Sequence, residues 1–580
     1  MKRFIFAAII ATLATAAVSC DLTLLPEDES IPENYFRTEN DLVLWSNQFY
    51  YDNLESAGYG STADDMISNG LSGYVTASRS AATQSWSFTP LRNINYLLEH
   101  IDNCPDKGAV TTYTALARFF RGYFYFLRVR TYGDIPWYDH VLGSADPDVY
   151  KARDDRGYVM DKVLADFEYA AANLPASWTG DPYNSKVTKW AALAFASRAA
   201  LYEGTFRKYH GMADADKYLL ACVDFAGRFI DNAPLQLYNT GAEPYRDLFW
   251  SDNARTQEVV LCRHYDAAYG IKHSLGYNIN FSRISLTKAF MNHYLMKDGT
   301  RFSSQAGWET KTFIQETKNR DPRMAQTVLC PGYKQIGETA ETINTLTSHT
   351  GYYPIKYIGT KATASTSGGG VSDYPLMRVA EVYLNYAEAK AELGTIKQKD
   401  LDDTVNKLRK RAGITGDLNL VAANATPDPF LAGYYTGVTG PFKGVILEIR
   451  RERTVELVME GQRSWDLFRW KECKKALNYH NPYYGCYFPG AGQYDMGGDA
   501  GYDLELYTTA PTSSCPTKLK IGTDIILSSG NSGYIVAYSD VIHGNNWNDA
   551  RDYLWPVPAA QRILNNNLTQ NPGWEDGLSF

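Results

Sequence analysis

Four glutamates, Glu448, Glu452, Glu456 and Glu460, recur at intervals of four between Phe442 and Lys475. On a helix that spacing sets them along one slowly drifting stripe, with side-chain roots about 6 Å apart. Paired carboxylates could cleave a glycosidic bond by general acid–base chemistry, which needs two acids separated by roughly 5–9.5 Å. Each of the four, however, lies within three residues of an arginine, drawn from Arg450, Arg451, Arg453 and Arg463. A guanidinium beside a carboxyl lowers its pKa and spoils it as a proton donor. The residues therefore predict an ion-pair lattice, joined by Arg469, that ties two successive helices together. Gly461 is the predicted stop between them, because glycine takes the left-handed conformation without a Cβ clash.

A second group of chemistry-bearing side chains sits in irregular sequence. Residues 55–86 are polar and loop-like and carry Asp65, Arg79 and Trp86; residues 235–375 are rich in Tyr, Asn and Gly and carry Tyr265, Tyr269, Tyr277, Asn280 and Trp308. Long loops are disproportionately functional. Rings offer flat faces to the C–H faces of sugars, while Asn, Asp and Arg bond sugar hydroxyls, so these eight are the candidate ligand-binding residues. Composition supports two readings: 43 Tyr against 24 Phe, with 12 Trp, suits ring presentation to a ligand. It also suits a large helical protein that places Tyr at half-buried positions, where the hydroxyl finds a partner.

The remaining composition excludes several classes. At 580 residues, 44% hydrophobic and 21% charged, the chain is a folded globular protein. A net charge of −8 argues against a nucleic-acid partner, since phosphate binding rests on basic surface. There is no GxSxG, HExxH, phosphate loop, CxxC or metal-finger spacing, and the nine His show no local cluster; no metal or cofactor is expected. Met1-Lys-Arg followed by the apolar run Phe4–Val18 reads as a secretory leader, too short for a membrane span. It ends in Ala17-Val18-Ser19-Cys20, similar to a bacterial lipoprotein cleavage box, which makes Cys20 the candidate lipidated residue. Of the seven other cysteines, Cys486 and Cys515 lie in loop-like sequence and form the candidate disulfide pair.

The elements that must position these groups are mostly helical. Leu116, Phe119, Phe120, Tyr123, Phe124 and Leu127 trace a buried helical stripe ended by Tyr132-Gly-Asp-Ile-Pro136. Amphipathic helices are also predicted over 41–51, 92–101, 155–174, 186–209, 214–230, 373–394 and 402–412, with a strand at Glu258–Cys262. Residues 476–550 read as aromatic loop.

Several of these stretches resemble one family, the SusD/RagB outer-membrane glycan-binding lipoproteins. Its motif, roughly ERR-x-EL-x-x-EG-x-R-x-x-DL-x-RW, is met by Glu452, Arg453, Glu456, Leu457, Glu460, Gly461, Arg463, Asp466, Leu467, Arg469 and Trp470; Thr454 stands where a second Arg is usual. The aromatic helix closing in YGD-x-P, the phrase from Leu376 to Ala389, and the Tyr553–Pro558 and Leu568–Trp574 segments are also similar to that family. The resemblance implies a mainly α fold of tetratricopeptide-like helix pairs (a SusD-like α/α superhelix) with a large irregular half and few short strands. It implies a leader at 1–19, a lipidated tether at 20–40 and one SusD-like domain at 41–580. In that domain, 41–234 and 373–475 form the scaffold, and 235–372 and 476–580 the ligand half. The implied function is non-enzymatic: a surface lipoprotein of the outer membrane captures an oligosaccharide or polysaccharide and passes it to a SusC-like TonB-dependent transporter. The alternatives are a secreted polysaccharide hydrolase and a structural partner of the transporter without sugar affinity.

Overall fold

The computed structural model describes residues 35–73, 75–76, 78–82, 86–478, 483–538 and 547–579; the leader, Cys20 and the start of the tether lie outside them. Helix α1 (Glu39–Asn53) begins at Thr38, whose hydroxyl accepts the Asp41 N–H while the Asp41 carboxylate accepts the Thr38 N–H, a closed capping box. After α2 (Thr89–His100) comes α3 (Lys107–Tyr132), the aromatic helix. It buries Leu116, Phe119, Phe120, Tyr123 and Phe124 as the stripe predicts. It starts earlier than the stripe because the Asp106 carboxylate accepts the N–H groups of Gly108 and Ala109. Helices α4 (Arg156–Asn173), α5 (Lys189–His210) and α6 (Ala215–Asn232) follow, each packed on its predecessor. The alanine-rich α5 is buried on every side from Ala191 to Arg207. Gly204 lets α6 approach: a Cβ there would lie 2.8 Å from the Leu219 side chain.

The chain then turns irregular, with only short helices such as α7 (Leu275–Phe281), and returns to the scaffold through α8 (Val379–Glu392), which packs on α6. Helices α9 (Val405–Ala412), α10 (Lys443–Glu456) and α11 (Arg463–Arg469) complete it, with α10 against α8. Strand β1 (Met66–Ile67) pairs antiparallel with β3 (Ser285–Leu286), Met66 opposite Leu286. Strand β2 (Val259–Arg263) pairs antiparallel with β4 (Tyr374–Arg378). The architecture is mainly α with short strands, as the sequence implies.

Several expectations are corrected. The helix predicted from Asp373 starts only at Val379, because the preceding five residues form β4. Pro375 disfavours the helical region for the residue before it, and it pairs with Cys262 instead. The stretch expected to be loop after 475 contains β5 (Tyr484–Phe488), β6 (Gly492–Tyr494), β7 (Leu504–Tyr507), β8 (Thr517–Lys520) and β9 (Gly533–Val536). Each is five residues or shorter, and β5 pairs with β9 through an irregular register, so no alternation develops in the sequence. Cys486 and Cys515 do not pair; both are free and buried, like the other cysteines among the described residues.

The glutamate stripe does form a buried lattice, but most of its partners come from elsewhere. Arg323 reaches Glu452 at 2.6 Å and Glu456 at 2.9 Å. Arg378 meets Glu258 at 2.6 Å, Glu460 at 2.7 Å and Glu456 at 3.1 Å. Arg409 bridges Glu448 and Glu452, and Arg411 joins Glu258 to Glu456. The local arginines mostly face other elements: Arg450 meets Glu392, Arg463 meets Asp64, and Arg469 meets Glu388 at 2.8 Å. A helical residue one or two positions from a glutamate points to a different face, so sequence proximity did not make these pairs. Helix α10 ends at Glu456, short of the predicted stop; Met459 (φ +61°) and Gly461 (φ +74°) turn the chain into α11.

Burial alone raises the Glu388 carboxyl, and the guanidinium of Arg469, with Arg453 and Arg450 beyond it, more than reverses this, holding it at about 2 against an ordinary 4.5. A folded-state pKa below the unfolded one contributes stability that is present above pH 4.5 and lost as pH falls toward 2. In denaturant titrations at pH 7, Glu388→Gln is expected to lose on the order of 3–5 kcal/mol, since it strips a buried guanidinium of its partner. Its stability should also fall less steeply than the wild type's across that acid window. Equal acid slopes in the two proteins would refute the assignment.

Candidate functional site

Helix α7 carries Tyr277 and Phe281 four residues apart, and their rings stack with centroids 5.6 Å apart and planes inclined by only 13°. Phe281 is 68% exposed, an unusual position for a large apolar ring, and forms the tip of a flat platform. Several hydrogen bonds fix the chain around it. Ser282 ends the helix by donating its N–H to the Asn278 carbonyl, and Arg283, at φ +49°, turns the backbone into β3. Beyond β1, Asn69 donates its N–H to the Ser282 carbonyl at 2.9 Å and its side-chain amide to the Phe281 carbonyl at 3.1 Å. The Asn69 side-chain oxygen faces His349 Nε2 at 2.9 Å, which assigns the imidazole proton to that nitrogen. Burial and then the charge of Arg283 lower the His349 pKa, so the ring is neutral. Tyr538 lies beside His349 with centroids 5.7 Å apart, and its hydroxyl donates to the Ser68 carbonyl.

Next to the platform opens a cleft of about 520 Å³, lined by Asn280, Arg283, Tyr333, Gln335, Asn344 and Tyr353 among others. Asn280 donates to the Ala364 carbonyl at 2.8 Å and Arg283 Nε to the Thr347 carbonyl at 2.8 Å, so both heads are held at the rim. Burial raises the phenols of Tyr333 and Tyr353, which stay neutral and able to donate or accept. None of the described residues lining the cleft is a carboxylic acid. Rings for stacking beside amides, hydroxyls and a guanidinium suit a polyhydroxylated ligand.

Of the eight residues singled out from the sequence, Tyr277 and Asn280 meet at this site. Asp65 and Tyr265 are buried, the Tyr265 hydroxyl accepting the Ala57 N–H. Arg79 pairs with Asp552 at 3.0 Å and lies 4.7 Å from the Trp555 ring and 5.3 Å from the Trp574 ring, riveting the C-terminal segment. Trp86 is half-buried against Tyr132 and Phe88. Tyr269 is exposed on its own turn, and Trp308 rests edge-on against Phe302 and Phe430. Phe281, His349, Tyr333 and Tyr538 also stand at or beside this site. The four-residue interval from Tyr277 to Phe281 was a usable signal, whereas the other three are brought in by long-range folding. Away from this site a single histidine, His140, has Asp146 and Asp148 beside it, each bringing one ligand atom within 4.8 Å of the others.

Comparison with known proteins agrees with this architecture. Residues 257–574 match the model of the SusD family, and residues 39–201 match a second, described as starch-binding associating with outer membrane. The chain belongs to the SusD family. It is 23% identical over 506 residues to SusD-like protein P38 of Formosa agariphila, covering 79% of this chain and 90% of that protein. Among solved structures it is similar to a SusD-like protein from Bacteroides fragilis, with a TM-score of 0.68 at 21% identity over 95% of this chain and all of the other. It is also similar to a structure determined with a xylogluco-oligosaccharide, with a TM-score of 0.58 at 18% identity over 95% of this chain and 98% of the other.

Behind the platform, Asp64 and Asp65 adjoin β1. Arg463 forks onto Asp64 at 2.7 and 2.6 Å, and Tyr434 donates to the same carboxylate. Asp65 receives no such partner for its buried Oδ1. Burial, and then repulsion from Asp64, push its carboxyl up to about 7. The unfolded group ionises from about 3.8 upward while the folded group keeps its proton, so Asp65 weakens the fold increasingly as pH rises from 3.8 to 7. Asp65→Asn is expected to raise the Tm at pH 8 and leave it nearly unchanged at pH 4. A difference independent of pH would contradict this.

Proposed function

We propose that this protein binds an oligosaccharide on the Tyr277–Phe281 platform, with the sugar hydroxyls met by Asn280, Arg283 and the phenols of the adjoining cleft, and that it cleaves no bond in doing so. The observation that carries the reading is the stacked pair of the half-buried Tyr277 and the exposed Phe281, beside a polar cleft with no acid among the described residues that line it. The family description as starch-binding and the oligosaccharide held by a structural relative support the ligand class. The four glutamates that could suggest hydrolysis are committed to arginines or lysine: Glu460, the last of them, lies 2.7 Å from both Lys356 and Arg378. A lipid on Cys20 would hold the protein at the outer membrane surface, and a SusC-like TonB-dependent transporter would receive the captured glycan. A handful of stacking and hydrogen-bonding contacts, each contributing about 0.5–1.5 kcal/mol, gives micromolar to millimolar binding, suited to a ligand that must be released onward.

Isothermal titration against a panel of neutral soluble oligosaccharides, including xyloglucan and starch fragments, tests this. At least one is expected to bind, and Phe281→Ala should weaken it by roughly 3–10-fold, the value of one ring contact, with no change in Tm because the ring is exposed. Silence across the panel would leave a structural partner of the transporter as the better reading, and product release from any polysaccharide would establish a hydrolase.

A further inference from the structure

A second cavity, of about 500 Å³, opens on the helical scaffold where α1, the start of α3 and the end of β2 converge. Its lining shares no residue with the platform cleft. Four rings form its walls: Tyr50 and Tyr51 from α1, Tyr113 from α3, and Trp178, whose centroid lies 6.1 Å from that of Tyr113. Two cations stand among them. Lys186 Nζ sits 5.6 Å from the centre of the Trp178 ring, and the Arg263 guanidinium carbon 5.8 Å from that of Tyr51.

Neither cation is in direct contact with a carboxylate among the described residues. Among the described residues lining the cavity there is no Asp or Glu. Arg263 donates to the backbone carbonyls of Leu54 and Glu55, and neither it nor Lys186 has a carboxylate within ion-pair distance among the described residues. The nearby carboxylates keep their charge but turn their oxygens to other donors, Glu55 to the Tyr123 hydroxyl among them. The Asp181 carboxylate accepts the N–H groups of Tyr183, Ser185 and Lys186 and the Ser185 hydroxyl. Asp373 accepts from His264 and from the N–H groups of Ala254 and Tyr265. A half-buried guanidinium and an ammonium in one cavity, walled by aromatic rings and with no carboxylate in direct contact among the described residues, suit an anion carried on a flat or apolar body.

We infer that this cavity is a second binding site that takes a carboxylate borne on a six-membered ring, the ring lying among Tyr50, Tyr51 and Trp178 and the carboxylate between Lys186 and Arg263. A uronic acid unit of an acidic glycan and an aromatic acid of the hydroxycinnamate class share this chemistry. The uronate case deepens the glycan-binding reading; the aromatic acid does not depend on it.

Titrations of the full mature chain distinguish the sources, using trigalacturonate, neutral galactotriose, ferulate and methyl ferulate as probes. At least one acid is expected to bind, more tightly than its neutral counterpart. Lys186→Gln and Arg263→Gln should each weaken it about tenfold, the effect of losing one charge-assisted bond. Phe281→Ala should leave this binding unchanged, so failure of the platform reading is seen separately, in the neutral oligosaccharides. Trigalacturonate alone binding assigns an acidic-glycan site, and ferulate alone an aromatic-acid site. Should Arg263→Gln lower the Tm, the exposed Lys186 variant carries the test. No binding by either acid, equal affinity for acid and neutral probes, or acid binding that survives both substitutions would overturn the proposal.

Discussion

Glu456 is completely buried and receives Arg323, Arg378 and Arg411, all three themselves buried. Everything else in the scaffold is arranged around that knot. Taking so many charges from water costs several kcal/mol per ion, and the cost is offset only where each group finds close, multiple partners. The three arginines come from three separate parts of the chain, so the knot closes only when the irregular half, β4 and α9 have all reached α10. A purely apolar helix–helix contact would tolerate sliding; a bidentate ion pair does not. The lattice therefore sets registry between segments as well as holding them.

That registry reaches the candidate glycan site through one link. Arg463, at the start of α11, grips Asp64 just before β1, and β1 pairs with β3, the strand that follows Phe281 and Arg283. Asn69, two residues beyond β1, then fixes the Phe281 and Ser282 carbonyls. An exposed ring on a seven-residue helix would not hold its orientation alone, since isolated short helices are marginal in water. Its rigidity is borrowed from the charged core. Preorganisation of this kind lowers the entropy that binding must offset, which matters when each contact contributes little.

How much of this was legible in the sequence follows from the range of each interaction. The amphipathic helices could be read because their signal lies within a few turns: the Leu116–Leu127 stripe and the alanine-rich α5 both became buried helices. The lattice was foreseen in kind, because four glutamates among arginines have few other fates. Its wiring was not, since Arg323, Arg378, Arg409 and Arg411 lie between 39 and 133 residues from their partners in the glutamate stripe. The same limit governed the site. Tyr277 and Asn280, singled out on residue type alone, fall at the candidate site. Arg79 looked like a sugar-binding loop residue, yet it bonds Asp552, 473 residues away, and pins Trp555 and Trp574 beyond it, a role that only long-range contact reveals. Short strands after residue 475 were hidden because pairing with distant partners, not alternation, defines them.

The most direct test of the central claim, that sugar is gripped by the braced ring pair on α7, is a crystal structure of the protein soaked with an oligosaccharide that binds it in solution. The expected result is a sugar ring lying over Phe281 with its hydroxyls within hydrogen-bond distance of Asn280 or Arg283, and no shift of β1 or β3. A saccharide bound elsewhere, with the Phe281 face left bare, would contradict it.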